Sequence, residues 1–440
     1  LESRVDTTAG KRHYGWAIFG LSFSNLFVEG GIKNTVPVVY VALRDSFKWS
    51  ATTTSSIFSV AGLVGGLSAP VLGALLDRLG PRYFFAAGGV LILAGYLSSS
   101  FGSELWHLLI FYSVLATLGE SMVSSFTTTA NLAPWFPKAR GRILGLADAG
   151  NPLGSLVFLP VSQLLISAIG WRDTFWVLGF LFFMLVAPAN FLFQRRPPGA
   201  RPSAEPGQEG ASDTSRASAG EAEPSSGVAG PPLASNPSLW QAVLLGPPLW
   251  FLVLARLLAT LGRQLIRVHL VAFLLAAGYS PFAAATAIAS AGLVGLVGRP
   301  LTGAISDHAG RETVYSAGQG MHVLAMVIIY VLGDGQSLWP IILFAGLMGL
   351  SDGIGGLMVG AKAADLFPVG SLGSVMGLIH LGRGIGIMAG PVIGGILFDA
   401  RGDYTVAFPL AILLGLLAVG CIWAARLTAG RTGGASVSQR

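Results

Sequence analysis

Of 440 residues only one, Cys421, is a cysteine, so neither an intramolecular disulfide framework nor a cysteine-based metal site can exist. Charge is nearly as scarce: Asp, Glu, Lys and Arg make up 11% of the chain, less than half of the roughly 25% usual in soluble domains. That scarcity excludes a water-solvated surface of ordinary extent. No nucleophile-and-base pairing or metal-ligand spacing is present either, so neither an enzyme nor a cofactor is expected. Residues 1–13 are polar and run straight into a long apolar segment, without the short apolar core and small-residue cleavage site of a secretory leader. They read as a cytoplasmic tail.

What the chain has instead is apolar surface. Hydrophobic residues reach 52% and the mean hydropathy is +0.67, the profile of a polytopic membrane protein. A bilayer core takes about 20 apolar residues per helix, and segments of that size recur at 14–42, 52–76, 83–101, 106–133, 141–168, 171–194, 243–277, 282–306, 314–333, 339–364, 373–398 and 404–426. Twelve membrane helices follow, as bundles over 14–194 and 243–426. The sixty glycines fit this class, because small residues let membrane helices approach closely. Residues 195–242, rich in Pro, Gly, Ser and Ala, read as a disordered cytoplasmic linker, and 427–440 as a second tail.

With both termini cytoplasmic, sixteen of the 27 Lys and Arg residues fall on the cytoplasmic side and four, Arg44, Lys48, Arg172 and Arg401, outside. This asymmetry follows the positive-inside rule. It also accounts for the net charge of +6 without nucleic acid. Trp16, Trp49, Trp106, Trp135, Trp171, Trp339 and Trp423 fall near span ends, where indole rings anchor helices at the interface. The expected setting is a cell membrane, in a bacterium the inner one, with the chain as a monomer.

The two bundles repeat each other. Gly73, Asp77 and Gly80 meet Gly303, Asp307 and Gly310 at an offset of 230. Gly141, Gly145, Leu146, Gly150 and Gly154 meet Gly373, Gly377, Leu378, Gly382 and Gly386 at 232, as Glu120 meets Asp352. Six spans per half make these parallel repeats about an axis along the membrane normal, which puts a substrate near the midplane between them.

The stretch Gly73 to Arg82 fits the Gly-x-Leu-x-Asp-Arg-x-Gly-x-Arg loop of the major facilitator superfamily, and the chain resembles that superfamily's monocarboxylate porter group, including its bacterial branch. The likeness is carried by Tyr14-Gly15-Trp16, Phe47 to Ser50, Trp135-Phe136 with Arg140-Gly141-Arg142, Gly170-Trp171-Arg172, His269-Leu270 and Gly298-Arg299-Pro300. The resemblance implies functional roles for Lys33 in the first helix and for Arg299 in the eighth. It also implies an acid one turn before that arginine, where this chain has Gly295. The loop acids and bases Asp77, Arg78, Arg82, Asp307 and Arg311 are expected to latch one conformation of a rocking pair.

Ionisable residues inside a membrane are costly, about 2.5 kcal/mol or more at the bilayer centre, and mark candidate sites. Here they are Lys33, Arg256, Arg263, Arg267, Arg299, Lys362 and Arg383 against Glu29, Glu120, Asp148 and Asp352. The cationic surplus favours an anionic solute. Arg256, Arg263 and Arg267 share one helical face at about 100° per residue, and the offset of 230 sets Lys33 in register with Arg263. Arginine suits a carboxylate because its planar fork donates two parallel hydrogen bonds. The expected binding set is Lys33, Arg263, Arg299 and Arg383, unless these cations serve only as ion-pair partners of Glu29, Glu120, Asp148 or Asp352. Arg256 and Arg267 are read as gating or snorkelling residues. Glu120, Asp352 and Glu29 are the acids read as proton carriers, and His269 and His380 are read as packing residues. The resulting expectation is a proton-linked symporter of a small monocarboxylate or related organic anion. The alternatives are an oxalate/formate-type exchanger, an efflux carrier for hydrophobic compounds, and a non-transporting membrane sensor.

Overall fold

The computed structural model describes residues 7–136, 140–195, 246–332, 337–352, 354–367 and 369–437, with the side chains of Asp77, Arg299 and Asp307 outside the description. The linker reading of 195–242 lies almost wholly outside the described residues. Helices account for nearly all the rest, and the described residues contain no strand. Grouping helical pieces that continue one another gives α1 (Thr7–Phe47), α2 (Ala51–Leu79), α3 (Pro81–Ser100), α4 (105–135), α5 (140–169), α6 (171–193), α7 (247–276), α8 (Pro281–Ala309), α9 (Arg311–Leu332), α10 (339–366), α11 (Val369–Arg401) and α12 (Ala407–Val437). Among the described residues nine stretches are long and apolar enough to cross a membrane, one of them, Ile143–Phe193, holding both α5 and α6. The outermost helices begin and end beyond the apolar spans, at Thr7 instead of 14 and at Val437 instead of 426.

The repeat has a structural meaning. Gly80 (φ 76°) and Gly310 (φ 86°) take the left-handed conformation that lets one residue turn α2 into α3 and α8 into α9. At the opposite end Gly170 (φ 79°) and Gly402 (φ 78°) do the same between α5 and α6 and after α11. Within the bundles the repeated glycines bring backbones together. A Cβ at Gly150 would lie 2.6 Å from the Phe23 carbonyl and one at Gly382 2.8 Å from the Val253 carbonyl, so α5 packs on α1 as α11 packs on α7. The partners Gly145 and Gly377 both face open space.

Each half keeps its own apolar core, around Tyr96, Phe175 and Phe182 in the first and Leu252, Tyr315 and Met358 in the second. Large side chains such as Leu67, Val71, Phe101, Leu192 and Val331 point outward, as lipid-facing residues do. Trp16, Trp106 and Trp339 are exposed at helix ends, but Trp171 is buried against Phe175 and so is a packing residue instead of an anchor. The halves meet through α2 against α11, α5 against α8, and α1 against α7.

Four spans read as continuous are broken. α4 contains a π-helical stretch (Leu109–Ala116) and interrupts at Val123, α5 at Ala149, α7 at Val268 and His269, and α10 at Asp352. Hydropathy cannot register these breaks, because local polar groups satisfy the freed backbone. Thr127 Oγ1 donates to the Met122 carbonyl at 2.7 Å and Thr128 Oγ1 to that of Val123 at 3.1 Å.

Candidate functional site

The breaks in α4 and α10 fall at pseudo-equivalent positions, and the charged residues gather around them. In the first half Glu29 is almost wholly buried and accepts three hydrogen bonds. They come from Lys33 Nζ at 2.8 Å, from the backbone N–H of Ser125 at 3.0 Å and from Asn151 Nδ2 at 3.3 Å. The Ser125 amide is one that the α4 break releases. Glu29 therefore ties α1, α4 and α5 together as a carboxylate with both oxygens engaged. Asp148 accepts from the Ser125 hydroxyl at 3.2 Å on the other side of the same break.

Lys33 remains 45% exposed beside its pair, open to the space between the halves, within electrostatic reach of Glu120 and Arg383. The Glu120 carboxylate has no hydrogen-bond or ion-pair partner among the described residues, although Lys33, Glu29 and Arg267 surround it electrostatically.

In the second half Arg263 Nη1 of α7 donates to Asp352 Oδ1 at 3.0 Å, and the Asp352 side chain is 43% exposed. The Gly295 backbone of α8 backs this aspartate, for a Cβ built there would lie 3.6 Å from the Asp352 Cβ. Arg256 lies about two turns earlier on α7, its guanidinium seated against Gly356, where a Cβ would come within 3.0 Å. Arg383 of α11 is half-buried, facing the field of Glu29. Arg299 is on α8, but its side chain is outside the described residues. The structure thus brings Lys33, Glu29, Glu120, Arg263, Asp352 and Arg383 around one interhelical space.

The residues read as gates divide. Arg267 donates to the Asn34 side-chain carbonyl across the halves, from α7 to α1. Arg82 stacks over Phe191 at 4.5 Å, and Arg78 is exposed at the end of α2. Arg311 lies 3.5 Å from Asp365, beside a buried Glu312 that holds Lys362 at 2.6 Å. That cluster joins α9 to α10 within one half. The Asp77 and Asp307 side chains lie outside the described residues. His269 is a packing residue, as read: it is buried against Tyr40, with Nε2 3.0 Å from the Pro391 carbonyl.

Sequence reading passed over Asn34, Ser125, Asn151 and Asp399. The last closes the loop end of the molecule. Its two oxygens accept the N–H groups of Ala51 and Thr52, both at 2.8 Å, while Ser50 Oγ takes that of Thr53 at 3.1 Å. A carboxylate from α11 thereby caps the N-terminus of α2 in the other half. Nearby, Arg44 stacks on Phe398 at 4.3 Å. Ser50 before an apolar run signals a helix start, but nothing in sequence points it to residue 399.

Comparison with known proteins gives this arrangement a family. The model of the Major Facilitator Superfamily matches residues 21–343 and 252–438. Monocarboxylate transporter 11 of Homo sapiens is 26% identical over 405 residues, 90% of this chain and 80% of its own. Monocarboxylate transporter 13 of Bos taurus is 27% identical over 401 residues, 90% of this chain and 86% of its own. Among solved structures, a bacterial homolog of the human lysosomal transporter Spinster, in an inward-facing and unoccupied conformation, superposes with a TM-score of 0.65 over 96% of this chain and 97% of its own, at 15% identity. The chain belongs to the major facilitator superfamily, as a transporter related to the monocarboxylate transporters and not an enzyme.

Proposed function

We propose that this transporter carries a small monocarboxylate together with a proton, by alternating access of two six-helix bundles (14–194 and 243–426) with twelve crossings and both termini cytoplasmic. The observation that carries the reading is the pairing of Arg263 with Asp352 at the α10 break, beside Arg383 and across from Lys33 and Glu29. A substrate carboxylate competes with Asp352 for the Arg263 fork and adds contacts to Lys33, Arg299 and Arg383. The acid so displaced favours a proton, which links the two movements. Asp352 leads Glu120 and Glu29 as the coupling acid. Glu29 already holds three donors, and the Asp352 Cβ lies 3.6 Å from where a Cβ at Gly295 would be, the position at which the porter group keeps its acid.

Arg267 with Asn34 serves as a gate beside Lys33, and Asp399 with the α2 N-terminus as one at the loop end. Asp77, Arg78, Arg82, Asp307 and Arg311 latch the other end, and Arg256 lines the path between. The setting is a cell membrane, in a bacterium the inner one, and the working unit a monomer.

Purified protein in liposomes tests the reading with labelled L-lactate, pyruvate and oxalate under an inward proton gradient. Gradient-driven lactate or pyruvate accumulation is expected. Counterflow alone, without gradient dependence, replaces symport by exchange, and no flux of any of the three removes the substrate class.

A further inference from the structure

Two guanidiniums of the second half stand apart from the charge pairs. Arg263 has Asp352 at 3.0 Å, Lys33 has Glu29 at 2.8 Å, and Arg267 has the Asn34 side chain. The side chains of Arg256 on α7 and Arg383 on α11 are part-buried and make neither a hydrogen bond nor an ion pair among the described residues. A guanidinium taken out of water without a counter-charge is costly, so two of them mark a place kept for an anion.

Packing brings the two to one place. Cβ atoms built at Gly382, Gly386 and Gly390 would lie 2.8 Å from the Val253 carbonyl oxygen, 2.9 Å from Leu261 N and 2.6 Å from Gln264 Cβ, so α11 and α7 run parallel along a close seam. The Gly382 position also lies 3.6 Å from Leu257 Cβ. Arg383 is one residue after Gly382, and Arg256 is one residue before Leu257. Each step turns a helix by about 100°, and steps of opposite sense from a shared contact point two parallel helices' side chains to the same side. The guanidiniums thus leave the seam level with each other, within electrostatic reach. α10 closes the third side. The Arg256 Nη2 lies 3.0 Å from a Cβ built at Gly356, and one turn on, a Cβ at Gly360 would lie 3.3 Å from Met376, which shares a face of α11 with Arg383.

Arg256 is also seven residues from Arg263 on one face of α7, about 10 Å along the axis. The acids facing this ground are Asp352, which reaches Arg256 as well as Arg263, and Glu29, which faces Arg383 but already holds Lys33, Ser125 and Asn151. Among the described side chains three guanidiniums therefore share the single charge of Asp352.

We propose that Arg256 and Arg383 clamp a second carboxylate, so that short dicarboxylates are held at both ends. This deepens the transport reading above and rests on it for the first carboxylate, at Arg263. Arginine suits the role because its planar fork matches a carboxylate, and forks from two neighbouring helices meet one group from two sides. A monocarboxylate uses the Arg263 end and leaves the clamp empty. A dicarboxylate of the same length offsets the surplus charge at both ends, which makes Arg256 a specificity-determining residue.

The test compares butyrate with succinate, equal in carbon number and different by one carboxylate. The readout is thermal stabilisation of the full chain in detergent at constant ionic strength and about pH 7, where both acids are ionised. In wild type the apparent Kd for succinate should lie about ten-fold or more below that for butyrate. Arg256→Gln should bring the ratio to about one and leave butyrate within about two-fold of wild type, and Arg383→Gln should lower the ratio as well. Arg256→Lys, which keeps the charge but not the fork, should give an intermediate ratio and decides the matter if the glutamine variant does not fold. Equal affinities in wild type overturn the proposal, as does a wild-type ratio in Arg383→Gln or in a folded Arg256 variant. Equal loss of both ligands in the Arg256 variants assigns that residue to the fold and overturns it too. Wild-type protein stabilised by neither acid removes the carboxylate reading itself, before any variant is made.

Discussion

At matching positions of the repeat, the two halves solve the same electrostatic problem differently. In the first, Lys33 is held by Glu29 of its own helix, and Glu29 is locked to α4 and α5, while Glu120 is left without a partner among the described residues. In the second, Arg263 reaches a different helix and pairs with Asp352, the counterpart of Glu120, at a helix break. A pair within one helix moves as a unit. A pair between helices, half exposed to the space where a solute must pass, can be exchanged for that solute. The first half therefore supplies a fixed cationic wall and the second the responsive element.

The largest effect that breaks this comparison is mechanical. A Cβ at Gly154 would come within 1.8 Å of the Phe27 carbonyl, whereas one at its counterpart Gly386 meets Leu261 N at 2.9 Å. Gly154→Ala forces backbone apart and is expected to abolish monodisperse, heat-resistant protein in detergent. Gly386→Ala, with a contact about 1 Å less severe, should still fold with a lowered melting temperature, since overpacking typically costs about 1–3 kcal/mol.

Next come the cations. Arg263→Ala removes a charge-assisted bond worth about 1.5–3 kcal/mol and should weaken apparent lactate affinity about ten- to a hundred-fold. Lys33→Ala removes a cation already held by Glu29 of its own helix, so uptake should fall only a few-fold. Equal losses in the two titrations of uptake against lactate would erase the distinction between halves.

A smaller contrast separates the acids of the first half. Glu29→Gln disrupts a carboxylate with three donors and is expected to lower the melting temperature, by the equivalent of about 1–3 kcal/mol. Glu120→Gln, which removes no hydrogen bond among the described residues, should leave it unchanged. The mildest change is Asp399→Asn. It weakens the cap on α2 by about 1 kcal/mol and should raise maleimide labelling of a Val38→Cys probe in a Cys421→Ser background, because Val38 is buried between the halves.

Much of this was legible in the residues. Charge scarcity and apolar length implied a helical membrane protein, and the repeat implied two related halves. The structure explains that repeat through the turns at Gly80 and Gly310 and the close approach at Gly150 and Gly382. The gathering of Lys33, Glu120, Arg263, Asp352 and Arg383 followed from placing costly charges on inward faces. What sequence could not carry was partner choice. Glu29 and Lys33 are four residues apart and their pair was visible. The bonds from Ser125 to Glu29 and from Ala51 to Asp399 depend on helix breaks and ends brought together by packing.

The central claim is that the anion displaces Asp352 from Arg263 and that a proton travels with it. Proton uptake on lactate addition, followed with a pH dye trapped inside proteoliposomes, tests it most directly in wild type and Asp352→Asn. The account predicts a proton taken in with each lactate by wild type, and lactate counterflow without acidification by Asp352→Asn. Acidification by Asp352→Asn equal to wild type would contradict it.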